Sequence, residues 1–145
     1  MTIGGLIDYI DRIKPNNFVT GDMIRWINEV EGRIQTEIFL IEIHEITQYD
    51  WDDTWTATQK NEALATELLV MPPYDKIYTT YLLAEIDNAN GEYNRYMNTK
   101  QQFDAAFADF SRYTAQMYAP GNRHLHNRIK GREAIVDARI PRGDF

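Results

Sequence analysis

At 145 residues, with 15 basic and 22 acidic residues and a formal net charge of −7, the chain fits one domain and is no generic cationic binder of nucleic acid. The absence of cysteine excludes a disulfide framework, a thiolate zinc site and a cysteine nucleophile. No apolar run approaches the ~18 residues of a membrane span, and acids interrupt the opening stretch where a signal peptide needs an apolar core, so a soluble intracellular domain is expected.

Residues 2–14 read as a short helix. Ile3, Leu6, Ile7, Ile10 and Ile13 recur at helical spacing, Thr2 is placed to cap the first turn, and Asp8, Asp11 and Arg12 fall off the stripe. Lys14-Pro15 ends it, because the residue before a proline is pushed out of the α region. Thr20 then caps a longer helix with Asp22 in its first turn. Its stripe is Met23, Ile27, Val30, Ile34, Ile38 and Ile41, thickened by Ile24 and Trp26. On another face Arg25, Glu29, Arg33 and Glu37 follow at i,i+4. Such pairs are worth about 0.2–0.5 kcal/mol each, which supports a helix and does not make a catalytic cluster. Gly32, mid-helix at a cost of about 1 kcal/mol relative to alanine, predicts the close approach of another backbone.

The stretch 42–73 differs. It holds Trp51, Trp55, several threonines and the acids Asp50, Asp52 and Asp53. Segments 54–58 and 67–71 each suit a short strand, and together they would make a β-hairpin. At roughly 30 residues the stretch is too long for a plain connection, so it reads as a functional excursion between the second and third helices.

Pro72-Pro73-Tyr74-Asp75 marks a boundary, with Asp75 placed to help start the third helix. Ile77, Tyr78, Tyr81, Leu82, Ile86, Ala89, Tyr93 and Tyr96 follow at spacings of three and four, helical throughout. Asn98-Thr99 is a cap or a break, after which Phe103, Ala106, Phe107, Phe110 and Tyr113 give another amphipathic helix to about Tyr118. Residues 97–100 either turn the chain or lie within one long helix; a hairpin there is the more compact answer. The aromatic stripe reads as core or interface and not as a cofactor box.

Charge is unevenly divided. Residues 1–118 carry nine basic and nineteen acidic residues, a net of −10, whereas 119–145 carry six basic and three acidic, a net of +3. The latter segment opens on Pro120-Gly121, has Pro141 and Gly143 near its end, and keeps no sustained period. It reads as an extended basic arm, the alternative being a solvated terminus. The expected fold is therefore mainly α: a small helical bundle over 1–118, the 42–73 excursion with its candidate short β-hairpin between helices two and three, and an extended C-terminal arm over 119–145.

Little in the chain points to a reaction centre. His44 lies between Glu42 and Glu45, and His124-Leu-His126 puts two imidazoles on one side of an extended segment. No third ligand accompanies that pair, and Arg123 and Arg128 would repel a cation, so no metal is expected. Asp50-Trp-Asp-Asp53 lacks the glycine and closing glutamate of a calcium loop. Gly-x-Ser-x-Gly, the P-loop and Gly-x-Gly-x-x-Gly are all missing, and no serine–acid pair accompanies a histidine. Neither enzymatic activity nor a cofactor is expected.

Several strings, in their order, carry a resemblance. Thr2-Ile-Gly-Gly-Leu-Ile-Asp-Tyr-Ile-Asp-Arg-Ile-Lys-Pro-Asn16 runs into Arg25-Trp-Ile-Asn-Glu-Val-Glu-Gly-Arg33; later come Pro73-Tyr-Asp-Lys-Ile-Tyr78, Ala89-Asn-Gly-Glu-Tyr-Asn-Arg-Tyr96 and Phe103-Asp-Ala-Ala-Phe107. Together these resemble the small head–tail connector (adaptor, or head-completion) proteins of long-tailed phages and prophages of Gram-positive bacteria. The resemblance covers 1–118, thins across 42–66 and is compositional in the arm.

It implies a structural protein of the virion, present in the host cytoplasm during assembly. Its copies would form a homo-oligomeric ring, expected to be twelve-fold, beneath the portal protein of the DNA-filled head. The ring would extend the DNA channel, without sequence-specific binding, and dock the next connector, stopper or tail-completion protein. Arg123, His124, Arg128, Lys130, Arg132 and Arg139 would then contact the portal, and Trp51 and Trp55 a subunit or the tail side. The alternative for the tryptophans is a loop folded on its own domain. A −10 body lining a channel would let DNA slide, the reverse of phosphate neutralisation. The rival readings are a non-viral helical interaction module and a small DNA-binding regulator, in which the segment 15–20 would join a helix-turn-helix.

Overall fold

A computed structural model describes residues 1–117, which are mainly helical. Helix α1 spans Ile3–Ile13, α2 Thr20–Arg33, α3 Ala57–Leu64, α4 Lys76–Ala89 and α5 Tyr93–Met117; a π turn, Ile34–Ile38, extends α2, and one 3₁₀ turn covers Ile43–Glu45. The arm, 119–145, lies outside the described residues, and so do its portal-contact candidates Arg123, His124, Arg128, Lys130, Arg132 and Arg139.

Thr2 caps α1 as its position predicts, its hydroxyl accepting the Gly5 N–H at 3.0 Å. Ile3, Leu6, Ile7 and Ile10 are buried along the stripe, whereas Ile13 is 44% exposed beyond the end of the core. Helix α2 is the central element. Met23, Ile24, Trp26, Ile27 and Val30 are all buried, each large aliphatic group contributing about 1.5–3 kcal/mol by leaving water. Its N-cap is Val19 without a side-chain bond, so Thr20 opens the helix and does not cap it. Past Arg33 the turns widen into the π turn, and Leu40 ends it at φ 58°, the left-handed region that disfavours a bulky side chain. That reversal buries both Phe39 and Ile41.

The 54–58 and 67–71 strands do not form. Residues 57–64 are α3, started by a reciprocal capping box in which Thr56 accepts the Gln59 N–H and the Gln59 amide accepts the Thr56 N–H. Segment 66–68 instead runs antiparallel to the N-terminus, with the Ile3 N–H bonding Thr66 O at 3.0 Å, the Leu68 N–H bonding Met1 O at 2.9 Å, and an isolated Thr2–Glu67 bridge. The next backbone N–H groups, of Leu69 and Val70, bond to the Glu31 and Tyr78 side chains and not to a strand.

Of the two alternatives at 97–100 the helix holds, and the chain reverses at 90–92, inside the stretch 77–96 expected to be helical throughout. Asn90 closes α4, Gly91 takes φ 74°, and the Glu92 N–H returns to Asp87 O at 2.9 Å. Helix α5 then runs unbroken through Asn98-Thr99, because the Thr99 hydroxyl donates back to Arg95 O at 2.9 Å or to Asp87 at 3.0 Å, so it does not break the helix. Tyr93, on the predicted stripe, sits at the turn and is 68% exposed. α4 and α5 pack as an αα-hairpin against α2, and the Pro72–Pro73 bond before them is cis. Tyr74, Phe110 and Tyr113 stack at the far end of this hairpin, where Phe110 also meets Phe39 at 6.1 Å.

Among the described residues Gly32 has no backbone neighbour of the predicted kind. A Cβ there would meet only the Ile46 side chain at 3.7 Å. The close approach is at Gly4, where a Cβ would lie 3.1 Å from both the carbonyl oxygen and Cβ of Leu64, letting α1 seat against the end of α3.

Candidate interaction surfaces

Three polar side chains on α2 and the π turn that extends it decide where the excursion lies. Asn28, Glu31 and Gln35 are spaced i, i+3 and i+7, so they line up along the helix. Asn28 donates to Tyr49 O at 3.0 Å and accepts the Tyr49 N–H at 2.8 Å. Gln35 repeats the arrangement on Thr47, donating to its carbonyl at 3.0 Å and accepting its N–H at 3.0 Å. Glu31, only 3% exposed, accepts the Leu69 N–H at 2.9 Å and the Tyr78 hydroxyl, which itself accepts the Val70 N–H at 2.9 Å. Side-chain amides and a carboxyl thus supply the backbone partners that a neighbouring strand would supply in a sheet. Burial, and then Glu31, push the Tyr78 phenol well above its ordinary pKa.

The tryptophans follow from these clamps. Trp51, two residues after Tyr49, lies half-buried on the start of α2, its ring 3.5 Å from the place of a Gly21 Cβ. Trp55 meets it edge-on at 5.9 Å, Lys60 lies over the Trp51 ring, and the Trp51 indole N–H donates to Asp53 at 2.9 Å. Trp51 therefore packs against its own domain with Trp55 beside it, each ring keeping part of its surface open. Beside them Asp52 is held below its ordinary pKa by the Thr54 N–H and hydroxyl, both of which donate to it.

A second polar junction ties α1 to the α4–α5 turn. The Asp87 carboxylate is 1% exposed, pairs with Lys14 and accepts the Thr99 hydroxyl at 3.0 Å; Lys14 also lies 3.5 Å from Glu92. An open cleft of about 260 Å³ lies over it, lined by Ile13, Leu83, Arg95 and Asn98 among others.

On the α2–α4 face the predicted i,i+4 ladder is only partly made. Arg33 bridges Glu37 at 2.8 Å and lies over the rings of Phe103 and Phe107, while Glu29 accepts the Tyr81 hydroxyl at 2.9 Å. Burial and the nearby Glu29 charge raise the Glu85 carboxyl, opposed by Arg25. Burial and the Glu29 bond likewise raise the Tyr81 phenol.

His44 is exposed and lies 3.8 Å from Glu45; among the described residues no group of three or more His, Cys, Asp or Glu is placed to hold a metal ion. His124 and His126 lie outside the described residues. No described helix is long and apolar enough to cross a membrane. The sequence reading missed Asn28, Glu31, Gln35 and Asp87, although polar residues interrupting the buried faces of α2 and α4 were a legible signal.

No protein-family model matches the chain, and neither the curated proteins nor the solved structures contain a match to it.

Proposed function

We propose that the protein is a structural connector of a tailed phage or prophage: a helical subunit that assembles into a ring under the portal, joins the head to the tail and extends the DNA channel. One observation carries this reading, the division of charge between body and arm. All but two of the nineteen acids in 1–118, Glu31 and Asp87, reach the surface, so the folded body presents a strongly negative exterior while the arm carries +3. A negative ring repels DNA phosphates and lets the duplex pass, and a basic arm is drawn to an acidic partner. Ring multivalency offsets weak contacts in each copy. In this reading Arg123, His124, Arg128, Lys130, Arg132 and Arg139 contact the portal, and Trp51 with Trp55 offers an open aromatic face to a neighbouring subunit or to the tail. The buried polar groups Asn28, Glu31, Gln35 and Asp87 are spent on internal bonds, which supports work done by surfaces and not by a reaction centre. The burial of Met23, Ile24, Trp26 and Ile27 weighs against α2 as a DNA-recognition helix, whose first turns must face base edges.

The test is co-sedimentation with the portal protein encoded alongside this chain, using the full chain and a 1–118 truncation. Binding that requires the arm supports the connector reading. If neither form binds, including on portals in DNA-filled heads, the connector reading gives way to a free-standing helical interaction module.

A further inference from the structure

Asn90-Gly91 is the one place in the chain where asparagine precedes glycine. The pair has a chemistry of its own, because the main-chain nitrogen after an asparagine can attack the side-chain Cγ, and glycine puts no side chain in the way. Both residues are exposed in the α4–α5 turn, and a Cβ built on Gly91 would meet no atom within 4 Å, so no neighbouring element shields that nitrogen. The turn itself holds the reaction back. Asn90 has ψ −3°, and closing a succinimide ring needs its carbonyl carbon rotated until the Gly91 nitrogen eclipses Cβ. The Gly91 N–H donates to Asn88 O at 3.1 Å and the Glu92 N–H to Asp87 O at 2.9 Å, so that rotation carries the backbone out of the bonds that close the turn. Behind it, Asp87 is held by Lys14 and the Thr99 hydroxyl, and Lys14 also lies 3.5 Å from Glu92. Lys14 thus pins both residues whose main-chain bond closes the turn.

We propose that Asn90 is a site of intramolecular modification in the folded protein, gated by the Lys14–Asp87–Glu92 junction. When the turn opens, the Gly91 nitrogen bonds to Asn90 Cγ and the side-chain nitrogen leaves as ammonia, carrying off the Gly91 proton. Water, the only co-reactant, then opens the succinimide to aspartate or isoaspartate. Ring closure waits on local opening of the turn and not on global unfolding, so whatever loosens the junction speeds the reaction. Either product places a carboxylate at the C-terminal end of α4, where the helix dipole disfavours an anion, and close in sequence to Asp87 and Glu92, which already share Lys14. Isoaspartate also adds a main-chain carbon to the turn. Conversion therefore loosens the tie between α1 and the α4–α5 hairpin, and does so irreversibly. The inference goes beyond the connector reading and does not depend on it: portal co-sedimentation reports on one, and the chemistry of the isolated chain on the other.

The test ages full-length protein in warm neutral buffer and scores isoaspartate at each asparagine by peptide mass mapping, beside the same chain in urea. Asn94 and Asn98, exposed on α5 but followed by Arg95 and Thr99, serve as internal controls. Isoaspartate is expected to accumulate at 90 and not at 94 or 98 in the folded parent, more slowly than at 90 in urea. In Lys14→Met the rate at 90 is expected to rise several-fold, in step with hydrogen exchange of the Glu92 amide. Glu92→Gln leaves the buried Lys14–Asp87 pair intact and reads the gate by the same comparison if Lys14→Met does not fold. Conversion at 90 no faster than at 94 and 98 in the folded parent would overturn the proposal. So would a rate at 90 that stays unchanged while exchange of the Glu92 amide rises.

Discussion

The Tyr78 hydroxyl donates to the Glu31 carboxyl at 2.5 Å while accepting the Val70 N–H, so one buried phenol joins α2, α4 and the segment that precedes α4. Tyr78→Phe removes both bonds and leaves the Val70 N–H buried without its partner. The expected loss is about 2–3 kcal/mol, read from urea unfolding. A pH effect accompanies it. Tyr78 and Tyr81 are both raised above the ordinary phenol value of 10.0, so above that pH the unfolded chain releases protons that the fold retains. Stability is thus constant with respect to these groups below pH 10 and falls as pH rises above it, less steeply in Tyr78→Phe than in the parent.

Lys14→Met strands the Asp87 carboxylate, which is 1% exposed. Breaking one side of a buried pair costs about 3–5 kcal/mol, at the lower end here because Lys14 keeps some contact with water. The double variant Lys14→Met, Asp87→Leu removes the charge along with its partner and is expected to recover much of that loss. Additive losses in the thermodynamic cycle would show that the two groups act independently.

Asn28→Ala unties Tyr49 from α2 by deleting two hydrogen bonds at 2.8 and 3.0 Å. Stability is expected to fall by about 1–3 kcal/mol. Hydrogen exchange should speed up most at the Tyr49 amide and its neighbours, with the α4–α5 hairpin amides little changed. Uniform acceleration would mean that the clamp supports the whole fold and not the excursion alone.

Glu85→Gln removes a carboxylate that burial and Glu29 disfavour. Because its pKa is raised in the fold, the cost of the charged form is present at neutral pH and disappears as pH falls below the ordinary value of 4.5. The variant is expected to be more stable at pH 7 by less than about 1 kcal/mol, since half-exposed charges are well screened. Its Tm advantage should vanish near pH 4.

Helix periodicity was legible because it depends on near neighbours. The Ile3, Leu6, Ile7, Ile10 stripe and the Met23, Ile27, Val30, Ile34 stripe are buried as their spacing predicts. The Thr56-x-x-Gln59 capping box was equally local, but threonine-rich residues 54–58 also suit a strand, and strand pairing cannot be judged without knowing the partner. The α4–α5 reversal, at Asn90-Gly91, falls inside a stretch whose apolar spacing reads as helical from Ile77 to Tyr96. Asn-Gly prevails because glycine takes φ 74° freely, while Thr99 satisfies its hydroxyl within the helix.

By itself the sequence determined the helical class, the apolar stripes, the start of α1 and the opposition of an acidic body to a basic arm, all of which follow from residue types and spacings of a few positions. Only the tertiary structure decided that Asn28, Glu31 and Gln35 hold Tyr49, Leu69 and Thr47, that Lys14 reaches Asp87, and that Trp51 rests on Gly21. Those pairings join residues far apart in the chain, and a buried hydrogen-bonding group takes whichever partner the packed helices bring within reach.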